Sequence, residues 1–111
     1  MQRTFIETTS FQRKVDKAGP GILRLIQAEL LRDLEARPVI QRTGGLRKAR
    51  IADPSRGKGK RGGHRVIYLD LPRVERTYLL ALYGKDEKDD ISPDEKRILR
   101  ALVEQLKKEA K

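Results

Sequence analysis

Two groups of cations are the residues whose type and spacing could do chemistry. The decapeptide RGKGKRGGHR, residues 56–65, holds five Lys or Arg, four Gly and one His. Just before it, LRKARI (46–51) alternates cations with apolar residues. In an extended chain that alternation puts Lys48 and Arg50 on one face and Ala49 and Ile51 on the other. Within the decapeptide, Gly57, Gly59, Gly62 and Gly63 let backbone N–H groups approach a phosphate. Arg adds a planar fork that matches phosphate oxygens. The chemistry these residues suit is the binding, and the charge stabilisation, of a phosphate backbone.

Charge placement supports a polyanionic partner. Between Arg42 and Arg65 there are nine Lys or Arg against one acid, Asp53, so this segment carries +8 of the net +10. A concentrated patch points to nucleic acid, an anionic membrane surface or an acidic protein. The plainer alternative is a solvated basic loop. The loop does not match the G-x-x-x-x-G-K-[ST] phosphate loop, and no helix follows it, which argues against a nucleoside triphosphate site.

His64 is the only histidine. It cannot form a histidine-based metal cluster, but it could transfer a proton near neutral pH. The plainer reading is a strand-entry residue with a local hydrogen bond. The acid pairs Asp86-Glu87 and Asp89-Asp90 read as solvated loop residues. Tyr68, Tyr78 and Tyr83 fall in predicted strands, where packing explains most of them; Tyr83 ends its strand beside Gly84 and Lys85. A stack of aromatics typical of single-strand binders is absent.

The positioning elements follow from periodicity and caps. RTFIET (3–8) reads as a strand. Ser10 is the expected cap of a short helix with Phe11 and Val15 at i, i+4 spacing, ended by AGPG (18–21). Ile22, Leu23, Ile26, Leu30 and Leu34 make the stripe of a helix over about 22–36, stopped by Arg37-Pro38. TGG (43–45) is a turn and 46–51 a strand. Residues 53–63 form a Gly-rich loop. RVIYLDL (65–71) and RTYLLALYG (76–84) are strands, apolar on both faces in places and hence central. Ser92, Pro93 and Glu95 form a helix start for 91–108, with Ile98, Leu99, Leu102, Val103 and Leu106 on one face. The order is β-α-α-β-β-β-α. Three consecutive strands with short links imply an antiparallel sheet, with helices on one face and an open second face: an α+β domain spanning residues 1–111.

The chain has no cysteine, which fits a reducing cytoplasm and excludes a disulfide scaffold. MQRTFIE lacks the apolar run of a signal peptide. The longest stretch free of Asp, Glu, Lys and Arg is Thr77–Gly84, far short of the ~18 residues of a membrane span. A cytoplasmic protein with no membrane partner is expected.

The combination of VIQRTGGLRKARIA (39–52), RGKGKRGGHRVIYL (56–69), YLLALYGKDEKDDIS (78–92) and a final helix resembles the HigB-type toxins of the RelE superfamily, over about residues 4–108. The resemblance implies a RelE-like fold and a type II toxin that cuts translated mRNA in the ribosomal A site. The 2′-hydroxyl would attack phosphorus and release the 5′-oxygen, with no metal or other cofactor. It implies catalytic roles for Lys48, Arg50, Arg65 and Lys85, with Arg65 and Lys85 foremost in charge stabilisation. Arg47, Arg56, Lys58, Lys60 and Arg61 would bind mRNA or ribosomal RNA. The implied partners are the ribosome and a cognate antitoxin from an adjacent gene. The antitoxin would carry a helix-turn-helix and the contact with operator DNA. One departure stands out: no Tyr or His follows residue 84. Lys48, His64, Tyr83 and Asp90 are therefore the candidates for proton transfer. A non-catalytic RNA-binding inhibitor and a gyrase-directed toxin on the same fold are the alternatives.

Overall fold

A computed structural model describes residues 3–35, 37–52, 63–84, 87 and 90–110. Its elements are β1 (Thr4–Glu7), α1 (Thr9–Ala18), α2 (Ile22–Arg32), β2 (Arg47–Ile51), β3 (His64–Leu71), β4 (Arg76–Gly84) and α3 (Pro93–Glu109). The order is the expected one, and a short 3-10 turn, Pro72–Val74, links β3 to β4.

The helix ends differ from expectation in two places. Thr8, not Ser10, caps α1, its Oγ1 accepting the Phe11 N–H at 3.1 Å. Helix α2 stops at Arg32, four residues before the expected end. Asp33 Oδ1 accepts the Glu35 N–H at 3.3 Å, a local turn that competes with the helix. The Arg37 guanidinium then takes the Asp33 carbonyl at 2.8 Å and the Glu29 carbonyl at 3.3 Å. The start of α3 is as read from sequence. Ser92 Oγ accepts the Glu95 N–H at 3.2 Å, and Glu95 Oε1 accepts the Ser92 N–H at 3.0 Å. Ser92→Ala is expected to cost about 1 kcal/mol, read as a fall of about 4 °C in Tm for a domain of this size.

The strands lie in the order β1-β4-β3-β2. The β2–β3 and β3–β4 pairs are antiparallel, as expected, but β1 lies parallel to β4. The sheet is therefore mixed. Tight hairpins join antiparallel neighbours only; β1 is separated from β4 by both helices and two strands, which frees it to run parallel. A bulge at Ile67/Tyr68 sets the β3–β4 register, pairing Ile67 with Ala81 and Tyr68 with Leu79. Leu80 is the extra residue, so Leu80 and Ala81 both pack toward one side.

Both faces of the sheet are covered, and the expectation of helices on one face needs correcting. On one face Phe11 of α1 and Ile22, Ile26 and Leu30 of α2 pack on Ala49, Ile51, Val66, Tyr68, Leu79 and Leu82. On the other, Val103 of α3 packs with Leu46, Ile67, Leu69, Tyr78 and Leu80. Strand β3 is apolar on both faces, so leaving one open would expose Ile67 and Leu69 to water; each such side chain is worth roughly 1.5–3 kcal/mol when buried.

Tyr68 ties the first core to the chain after α2. Its hydroxyl donates to the Leu34 carbonyl at 2.8 Å. Burial holds its pKa above the usual 10, a shift that the neighbouring Arg37 opposes. Above about pH 10 the unfolded tyrosine loses its proton before the folded one does, so stability falls as pH rises. Urea midpoints measured from pH 9 to 11 should fall less steeply for Tyr68→Phe than for the wild type.

Candidate active face

Strand register builds the site. Arg50 of β2 pairs with Arg65 of β3, and Arg65 pairs with Tyr83 of β4. Directly paired residues share a face, so the three form one row across three strands. Lys48 lies two residues along β2, on the same face, opposite Ile67. This is the α3 side of the sheet. Arg65 is 1% exposed and Tyr83 2%, whereas Arg50 is exposed and Lys48 half-buried. Exposure thus falls along the row from Arg50 to Arg65 and Tyr83.

A phosphate at this row would meet two guanidinium forks able to make charge-assisted hydrogen bonds, and a guanidinium loses less hydration than an ammonium does on entering such a place. Asp90 joins this side of the sheet: its Oδ1 lies 3.9 Å from Lys48 Nζ and accepts the Ile91 N–H at 3.0 Å. The row therefore has cations, a tyrosine hydroxyl and a carboxylate near a lysine.

His64 lies on the opposite face, yet at the strand end it lines one small cleft together with Tyr83. It pairs with Ile51 and Gly84, on the face of the first core, is 8% exposed, and borders Lys14, Lys17 and Ala18 of α1. Strand alternation sends it away from Arg65, its neighbour in the chain. Arg47 also lies on that first face, opposite Tyr68. Its Nη1 donates to the carbonyls of Glu35 (3.1 Å) and Arg37. It braces the chain after α2, so the RNA-binding role expected of it has no support in its position. Lys85, Arg56, Lys58, Lys60 and Arg61 lie outside the described residues.

Two features are not evident from the sequence. Glu87, half exposed as expected of a solvated acid, is also a tether. Its N–H donates to the Gly84 carbonyl at 3.1 Å, its Oε1 accepts the Gly84 N–H at 3.3 Å, and its Oε2 accepts Lys14 Nζ at 3.0 Å. Lys85 stands in sequence between these two linked residues. The second feature is a cleft of about 530 Å³ lined by Arg37, Pro38, Val39, Ile40, Lys48 and Arg50. Its one sequence signal is the apolar run after Arg37-Pro38, which reads locally as a helix stop.

Among the described residues no helix is long and apolar enough to cross a membrane. The family model for the RelE toxin of the RelE/RelB toxin–antitoxin system matches residues 27–111. That span contains β2, β3, β4 and α3, and with them the whole Arg50–Arg65–Tyr83 row. The chain belongs to the RelE toxin family.

Proposed function

We propose that this toxin is a ribosome-dependent mRNA endonuclease of the HigB type, acting on message in the A site. The observation that carries the reading is the Arg50–Arg65–Tyr83 row, with Lys48 on the same face, in a chain of the RelE family. In the reaction the ribose 2′-oxygen bonds to phosphorus and the P–O5′ bond breaks. One proton leaves the 2′-hydroxyl and one reaches the 5′-oxygen. Negative charge grows on the phosphoryl oxygens between these events. Arg65, fixed by burial, and Arg50 opposite it are suited to hold that charge without reorganising. Lys48, Tyr83 and Asp90 are the proton-transfer candidates on this side, and His64 remains one through the cleft it shares with Tyr83. The ribosome supplies alignment of the 2′-hydroxyl with the leaving oxygen.

The partner antitoxin, expected from an adjacent gene, would cover this basic face or block ribosome entry. It would also supply the helix-turn-helix that binds operator DNA. Both proteins would work in the cytoplasm.

The test is cell-free bacterial translation with purified protein, followed by primer extension on the message, with and without ribosomes. New 5′ ends that need ribosomes are expected. Arrest on intact message would replace the reading with a binding inhibitor. Unaffected translation, with DNA breaks in the presence of gyrase, would replace it with a gyrase-directed toxin.

A further inference from the structure

We propose that the cleft between β2 and residues 37–40 is a nucleobase subsite, which seats a base of the RNA whose phosphates lie at Lys48 and Arg50. The inference rests on the endonuclease reading and adds to it a place where sequence could be read.

The cleft exists because pairing stops. Val39 bridges Arg47, and the Ile40 N–H donates to the Leu46 carbonyl at 2.7 Å. Among the described residues, no pairing joins the chain before Val39 to β2. There the Arg47 side chain, not a strand ladder, ties the two segments through the Arg37 carbonyl, and about 530 Å³ is lined by both of them. This lies within the range of small-ligand sites, roughly 300–1,000 Å³.

Its two sides differ in chemistry. Pro38, Val39 and Ile40 make one side, three consecutive apolar residues, with Val39 46% exposed. Lys48 and Arg50 make the other. A flat, weakly polar body with an anion at one edge matches both sides together, and a nucleotide is such a body. None of the described lining residues is aromatic, so the base would lie on proline and aliphatic surface.

Arg37 supplies a second planar surface. Its Nη1 donates to the Asp33 carbonyl, and its Nη2 donates to Glu29 Oε2 at 2.8 Å and to the Glu29 carbonyl. The guanidinium is locked in plane and its charge is met by Glu29. A guanidinium held in this way stacks on a base rather than gripping a phosphate. Arg50 belongs both to the cleft and to the Arg50–Arg65–Tyr83 row, so a base seated here would have its phosphate beside the reacting row.

The test measures binding without cleavage. A 2′-O-methyl RNA trinucleotide and its counterpart with an abasic central position are titrated into the isotope-labelled protein and followed by NMR. Removing the base should weaken binding roughly two- to thirty-fold, the scale of a guanidinium stacked on a ring, and the shifts it abolishes should fall on residues 37–40. Val39→Ser, at an exposed position, should weaken the intact probe at least twofold and leave the abasic probe unchanged. Equal affinity of the two probes for the wild type would overturn the subsite, as would base-dependent shifts confined to other residues. Ribosomal cleavage together with equal probe affinities would remove the subsite and keep the endonuclease. Base-dependent binding without ribosomal cleavage would do the reverse.

Discussion

Arg65→Ala should lose at least about 100-fold in the rate of ribosome-dependent mRNA cleavage, the scale expected when one preorganised donor to a developing oxyanion is removed. Arg65 is buried, central in the row, and paired on one side with Arg50 and on the other with Tyr83. Solvent cannot take its place when charge grows on the phosphoryl oxygens. Arg65→Lys keeps the charge and loses the fork, so a smaller loss is expected. Arg50→Ala, at the wet end of the row, should also lose less. The deficit should appear in single-turnover cleavage on saturated ribosomes rather than in ribosome affinity. Because truncating a buried side chain can unfold a protein, Arg65→Gln and a circular dichroism melt accompany the series. A folded Arg65→Ala or Arg65→Gln protein that cuts within threefold of wild type would remove the row from the chemistry.

Phe11→Ala carries the largest expected effect on stability, about 3–5 kcal/mol. Helix α1 is rich in charge: of its ten residues only Phe11 is buried, and Val15 packs at the margin. Phe11 is therefore the main hold of α1 on Leu79, Leu82 and the α2 stripe. The loss is large against the 5–15 kcal/mol typical of a whole domain. It should appear as a lower urea midpoint at unchanged slope. The damage should reach the candidate site through α1, since Lys14 holds Glu87 and Glu87 holds Gly84. A destabilisation below about 1.5 kcal/mol would mean that α1 is held by its charged residues instead.

Particular elements separate what is legible in the chain from what is not. The Ser92–Glu95 capping box is readable because both partners lie within one helical turn. The end of α2 is not, because its carbonyls are taken by Arg37, several residues downstream. The common face of Lys48, Arg50 and Arg65 follows from alternation plus the assumption that β2 and β3 pair. The opposite placement of His64 is implicit in the same alternation, once β3 is known to begin at His64 rather than at Arg65. Arg47 illustrates the limit: its basicity suggests RNA, and only the carbonyls of Glu35 and Arg37 reveal a brace.

By itself the sequence determined the order of the elements, their periodicities, the cap of α3, and the concentration of cations on and after β2. Those properties depend on groups within a few residues of each other. Tertiary structure alone decided that β1 runs parallel to β4, that α3 closes the second face, that Tyr83 pairs with Arg65, and that residues 37–40 and β2 enclose a cleft. Each of these depends on burial between segments distant in the chain. The free energy of such burial belongs to the pair of surfaces and is not written in either one.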